Sequence, residues 1–115
     1  MINRAKLEDS FKMIGTKRIP VYIKLYQSSN KKFITLFDKY LSRQDIDKLS
    51  NLVHKTKGST AIFCDEELDI ILVDIENKIL HDNLDFDAEQ IIIMKTKFQE
   101  FWAELTGLKA YYCKK

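Results

Sequence analysis

Two segments near the start of the chain have the composition of short β-strands. Residues 21–26 and 33–37 are rich in β-branched and aromatic side chains, and the polar residues 27–32 separate them. Pro20 fits the beginning of a strand, because its missing N–H is tolerated there. The apolar run 60–64 has strand length and predicts a third strand. The pattern therefore predicts a small antiparallel three-stranded sheet in β-β-α-β order.

Four other segments have apolar residues at helical spacing and predict amphipathic helices. Asp85 or Asp87 is expected to cap the last of them, because a side-chain oxygen at that position accepts from a free backbone N–H. With the sheet, these helices predict an α+β fold in which helices back the sheet and two longer helices follow it. The predicted helices cover residues 2–14, residues 43–56, a segment from 65 to between 81 and 84, and a segment from the aspartate cap to Leu108.

The length of 115 residues is that of one domain, since one hydrophobic core serves about 100–150 residues. Hydrophobic side chains make up 45% of the chain, which excludes a disordered tail. We therefore expect a single domain over residues 1–115. It would consist of an α/ββαβ unit (1–64), a helical pair (65–108) and a tail (109–115).

The sequence also predicts a cellular location. No apolar stretch reaches the roughly 18 residues of a membrane helix, and the first residues lack the apolar core of a signal peptide. Cys64 and Cys113 are then expected to be reduced thiols rather than a disulfide. These features predict a cytoplasmic protein that does not contact a membrane.

Charge is distributed unevenly along the chain, although the net charge is only +2. Residues 1–57 contain 13 basic and 5 acidic side chains, whereas residues 58–115 contain 6 basic and 12 acidic ones. Two interpretations follow. Either the two halves screen each other within one fold, or they form a dipolar surface that steers a partner or associates head to tail.

Motifs for common catalytic chemistries are missing from the sequence. It contains no glycine-rich phosphate loop, no GxSxG elbow, no HExxH and no CxxC. Cys64 with His54 or His81 could form a nucleophile pair, but a cysteine that closes an apolar strand favours a structural thiol. The spacing of Cys64, His81 and Cys113 matches no compact zinc motif. We therefore expect no enzyme activity, no catalytic residue, no cofactor and no metal.

The last predicted helix has an unbroken apolar stripe, with intervals of three and four residues. Either the preceding helix of the same chain or a second copy can cover such a stripe. Two long apolar-striped helices in a small domain make a homodimer a serious competitor to packing within the chain. The predicted association surface consists of Ile91, Met94, Phe98, Phe101 and Leu105.

Nucleic-acid binding by the predicted hairpin is the alternative function. Basic side chains that contact phosphate and aromatic rings that stack on bases would lie together there. The competing interpretation is that aromatic residues of a strand belong to the core. The candidate contacts are Lys17, Arg18, Lys31, Lys32, Tyr22 and Tyr26.

Turns and apolar residues follow a progression through residues 18–25, 32–37, 45–49 and 58–68. Over roughly residues 11–70, this progression resembles the N-terminal accessory domain that precedes HD-GYP phosphodiesterase or PilZ domains in bacterial cyclic di-GMP signalling. The chain has neither the His-Asp and Gly-Tyr-Pro signatures of the phosphodiesterase nor the arginine motif of a nucleotide-binding PilZ domain. The resemblance therefore implies neither catalysis nor cyclic di-GMP binding.

What the resemblance does imply is the sensory or dimerising module alone, as the N-terminal part of a longer protein. We accordingly predict a non-catalytic regulatory or protein-interaction module of a bacterial signalling protein. Its partner would be another protein or a second copy of the same chain.

Overall fold

The structure, a computed structural model, describes residues 1–81 and 84–114, and in those residues it contains helices but no strand. The predicted α+β fold and its three-stranded sheet are therefore wrong. The helices are α1 (Arg4–Ser10), α2 (Ile19–Asn30), α3 (Phe33–Ser42), α4 (Ile46–Thr60), α5 (Glu66–Leu80) and α6 (Ala88–Cys113), with 3₁₀ turns over Thr16–Arg18 and Ala61–Phe63.

The segment predicted as the first strand of the hairpin belongs to α2. Its buried side chains Ile19, Ile23, Tyr26 and Asn30 recur every three or four residues, which is the spacing of one helix face. Pro20 lies in the first turn of α2, where its missing N–H removes no helical hydrogen bond. Strand propensity is a weak preference, so burial of this helical stripe overrides the β-branched and aromatic composition.

The other two predicted strands are also helical. In α3, Phe33 and Phe37 lie one turn apart and are both buried. The run 60–64 contains the end of α4 and a 3₁₀ turn that buries Phe63. Cys64 ends that turn in the left-handed conformation, with φ of 60°. Because all three segments bury residues at helical spacing, the short apolar runs do not pair as a sheet.

The predicted helices exist, with shifted ends. Asp87 caps α6 by accepting from the N–H of Glu89, which confirms one of the two predicted caps. The end of α5 at Leu80 lies just before the predicted 81–84, of which residues 82 and 83 are outside the described residues. Helix α4 begins and ends later than predicted. Helix α6 continues through most of the predicted tail, whose last residue is also outside the described part of the chain.

Helices α2, α4, α5 and α6 form a bundle, and α3 packs against α4. The molecule is elongated and measures 45 × 22 × 21 Å. The rings of Tyr26, Phe63 and Phe101 form its aromatic centre, with centroids 5.4–6.1 Å apart and mostly edge-on geometry. Helix α4 packs mainly against α5 and α3, and α4 and α5 together provide the residues of the candidate site.

Ion pairs connect the two halves of the chain; two of them join a base of the first half to an acid of the second, and one runs in the opposite sense. They join Lys57 to Glu76, Lys6 to Glu66, and Lys95 to Asp38. The first of these contains a nearly buried carboxylate, whereas Lys6 and Glu66 are exposed and contribute little to stability. The uneven charge along the sequence is thus partly balanced across helix contacts, most tightly at Glu76.

Candidate functional site

A histidine and a lysine of α4 share one glutamate of α5. His54 and Lys57 are three residues apart, so they are neighbours on the surface of α4. His54 Nδ1 lies 2.8 Å from Oε2 of Glu76, and Lys57 Nζ lies 2.7 Å from Oε1. Both carboxylate oxygens are therefore occupied, and the three side chains form one connected cluster between the two helices.

The three side chains differ sharply in exposure. Glu76 exposes 10% of its side chain and Lys57 28%, whereas His54 exposes 71%. The glutamate is thus held inside the interface, and the imidazole projects from the convex surface of α4. Such an exposed ring is accessible to a large molecule that approaches from solvent.

Glu76 is kept ionised by its two partners. The hydrogen bond from Lys57 has the largest effect and lowers the pKa of the Glu76 carboxyl, the bond from His54 lowers it further, and burial opposes both. An ionised carboxylate can only accept hydrogen bonds. It follows that the hydrogen of this contact is on Nδ1 of His54, so that in the neutral form of the ring the lone pair lies on Nε2.

Gly58 follows His54 by four residues and lies on the same exposed side of α4. A Cβ atom built on Gly58 would meet nothing within 4 Å. The space beside the imidazole is therefore open, and no neighbouring group of the described chain requires a glycine here.

Behind His54, α4 is fixed to α2 by buried polar contacts. Thr60 shares a 2.8 Å hydrogen bond with the Tyr26 hydroxyl, and Thr56 donates to Asn30 at 3.3 Å. Asn30 in turn donates to the backbone carbonyl of Tyr26. These contacts set the position of α4 along α2, because buried polar groups are stable only when they are paired.

The residues of the predicted association surface lie mainly inside the bundle. Met94, Phe98, Phe101 and Leu105 are buried in the core of the chain itself, and Ile91 is half-buried against it. The apolar stripe of α6 is thus covered within the chain, by α2 as well as by the preceding helix α5, whereas the sequence predicted the preceding helix alone or a second copy.

The predicted nucleic-acid residues do not form a hairpin. Lys17 and Arg18 lie in a 3₁₀ turn, Tyr22 and Tyr26 in α2, and Lys31 and Lys32 between α2 and α3. Tyr26 is buried with its ring in the aromatic centre, and Tyr22 packs edge-on against Phe11. The proposed stacking surface therefore does not exist in this form.

The two cysteines lie at the ends of two different helical elements and form no disulfide. Cys64 is half-buried after the 3₁₀ turn, and Cys113 is exposed at the end of α6. His81 is exposed at the end of α5. Within residues 1–81 and 84–114, no three His, Cys, Asp or Glu side chains gather into a group able to hold a metal ion.

Two further findings concern the relatives of this chain and its helices. No family model matches it, and comparisons with curated proteins and with solved structures gave no match. The resemblance to the accessory domain therefore stays a prediction. None of the helices in the described residues is both long enough and apolar enough to cross a membrane.

Proposed function

We propose that the chain is a regulatory module that carries a phosphoryl group on His54, accepting it from one protein and passing it to another. The observation that supports this histidine phosphotransfer function best is the geometry of the imidazole. Its Nδ1 is engaged by the ionised Glu76, while its Nε2 faces solvent on an exposed helix surface. A free lone pair on an oriented ring is what a nucleophile requires.

The transfer step uses the residues of the cluster directly. The Nε2 lone pair of His54 attacks the phosphorus of an acyl phosphate on an aspartate of the donor protein. A P–N bond forms, the P–O bond to the donor carboxylate breaks, and that carboxylate leaves with the bonding electron pair. The ring retains its Nδ1 proton and gains positive charge, which the Glu76 carboxylate stabilises. The reverse step delivers the phosphoryl group to an aspartate of the next protein.

Lys57 provides the countercharge for the transferred group. Its ammonium lies one helical turn from the imidazole and is held near it by Glu76. A phosphoryl group has strong acceptor oxygens and negative charge, which a nearby ammonium stabilises. Lys57 therefore lowers the repulsion between the incoming phosphoryl group and the Glu76 carboxylate.

An exposed surface suits this function better than catalysis on a small substrate. A general base acts on a substrate held in a concave pocket, whereas His54 stands on a convex helix with open space at Gly58. A second protein can reach Nε2 directly at such a position. The proposal agrees with the predicted regulatory, protein-interacting role but moves the partner surface from the buried stripe of α6 to α4. A cytoplasmic location and a bacterial signalling context stay predictions.

The test uses phosphoramidate as a small phosphoryl donor and intact mass as the readout. The chain contains two histidines, so each serves as a control for the other. We expect the unmodified protein and His81→Gln to gain one phosphoryl group at equal rates. His54→Gln should gain none. Circular dichroism of His54→Gln verifies that the exposed substitution leaves the helices intact. Equal labelling of His54→Gln and the unmodified protein would contradict the proposal.

A further inference from the structure

An apolar cavity of about 350 Å³ lies between α2, the second half of α4 and the 3₁₀ turn at Ala61–Phe63. The buried rings of Tyr26 and Phe63 form its floor. Tyr22, Leu25 and Ile62 line it and remain partly exposed. Large apolar side chains thus face solvent around a concave space, and filling that space would remove them from water.

The polar groups of the cavity fall into two classes. Those at the floor have partners: the Tyr26 hydroxyl bonds to Thr60, and Asn30 bonds to both Thr56 and the Tyr26 carbonyl. Lys55 lines the cavity as well, and its side chain is exposed. In the described part of the chain, no acidic group lies within salt-bridge distance of its Nζ. The cavity therefore combines an apolar floor with a free ammonium at the edge.

We infer that this cavity binds a small amphiphilic anion, a carboxylate with an apolar body of about eight carbons. The apolar body would lie on Tyr26 and Phe63, and the carboxylate would face Lys55. Ligand sites of about 300–1,000 Å³ with apolar walls and few polar groups occur between helices of bundles. The inference rests on the cavity alone and does not depend on phosphorylation of His54.

The length of the cavity favours a small ligand over a docked helix. Its lining residues on α2 extend from Tyr22 to Asn30, which corresponds to about 12 Å along a helix axis. An extended eight-carbon chain is of this order, whereas a docked amphipathic helix uses anchors over two or more turns beyond one short cavity. The single ammonium at the edge matches a ligand with one negative charge.

The test compares octanoate with 1-octanol, which has the same apolar chain without the charge. Both are titrated into ¹⁵N-labelled protein, and amide shifts locate the binding. We expect octanoate to bind more tightly and to shift residues of α2 and of the turn at Ala61–Phe63. Lys55→Gln should weaken octanoate about two- to fivefold, as for an exposed ion pair, and leave 1-octanol unchanged.

A matched pair of leucines provides the control for nonspecific binding. Leu25 in the cavity and Leu80 at the end of α5 are 60% and 62% exposed. We expect Leu25→Gln to weaken both ligands several-fold and Leu80→Gln to weaken neither. Equal effects of the two variants, or no saturable binding of octanoate, would overturn the inference. Self-association that Leu25→Gln abolishes would assign the cavity to a second copy and overturn it as well.

Discussion

Two acidic residues of α5 lie two helical turns apart, and their surroundings differ completely. Glu76 accepts hydrogen bonds from His54 and Lys57, which lower the pKa of its carboxyl. The Oδ1 atom of Asp69 is buried and has no hydrogen-bond partner in the described residues. Burial, followed by the nearby charges of Asp65 and Glu66, raises the pKa of Asp69. The same helix thus holds one carboxylate that the fold stabilises and one that it penalises.

The comparison shows what makes the Glu76 cluster suited to a nucleophile. A buried carboxylate remains ionised at neutral pH only if partners compensate for its lost hydration. Glu76 has two such partners and can therefore orient an imidazole, whereas the buried Oδ1 of Asp69 has no partner among the residues that the structure describes. Burial alone does not identify the functional acid; its donors do.

The largest expected effect on this contrast comes from Glu76→Gln. The amide keeps the size of the side chain but removes the charge, so Lys57 and His54 lose their charged acceptor. We expect the free energy of unfolding at pH 7 to fall by about 1–2 kcal/mol, as for hydrogen bonds to a charged group. Chemical denaturation measures this difference. Glu67→Gln, at an exposed glutamate of the same helix, is the control and should lower stability much less, because its ion pair with Lys97 is exposed to solvent.

The pH dependence of that difference has a definite sign. The pKa of Glu76 is lower in the folded state, so its stabilisation is complete above the unfolded pKa of a glutamate and is lost as pH falls through the folded pKa. The unmodified protein and Glu76→Gln should therefore converge in stability at acid pH. A gap that stays constant below pH 4 would show that the charge of Glu76 is not what stabilises the cluster.

A smaller effect on stability is expected at Gly58 of α4, where the fold itself does not require a glycine. Gly58→Ala should stabilise the protein by up to about 1 kcal/mol, because alanine favours a helix and its Cβ meets no other group. Gly15→Ala is the matched control and should destabilise it, since Gly15 has φ of +95°. Thermal unfolding compares the two variants. A loss of stability in Gly58→Ala would contradict an open surface beside His54.

The smallest effect is expected at the second carboxylate. Asp69→Asn should raise the free energy of unfolding at pH 7 by about 0.5 kcal/mol, because relief from a partly buried charge is offset by the loss of a favourable charge in the first turn of α5. The raised pKa means that the penalty disappears as pH falls below it. The variant should thus lose its advantage in acid, in contrast to Glu76→Gln, and denaturation at several pH values tests this. An advantage that persists at low pH would contradict it.

The sequence predicted some elements well and others poorly, for physical reasons. Asp87 and the acidic start of α5 are local signals, since a cap needs only the next few residues. The segments 21–26 and 33–37 have strand-like composition, but their choice of helix depends on burial against α6 and α4, which composition does not contain. The buried face of α2 at Ile19, Ile23 and Tyr26 was the helical signal in the sequence.

The candidate site was harder to predict than the helices. The sequence pointed to His54 only as a partner of Cys64, whereas its partner in the structure is Glu76, 22 residues later. That contact depends on how α4 and α5 pack, so no local spacing predicts it. The available signal was the pair His54 and Lys57 followed by Gly58, which places a ring, a cation and open space on one surface of a helix.

Ring-nitrogen NMR of the phosphorylated protein tests the central proposal most directly. After treatment with phosphoramidate, ¹⁵N and ³¹P spectra identify which ring nitrogen holds the phosphoryl group and which keeps a proton. We expect phosphorus on Nε2 of His54, with the Nδ1 proton retained and bonded to Glu76. Phosphorus on Nδ1 of His54, or on His81 alone, would contradict a relay function built on the His54–Glu76 pair.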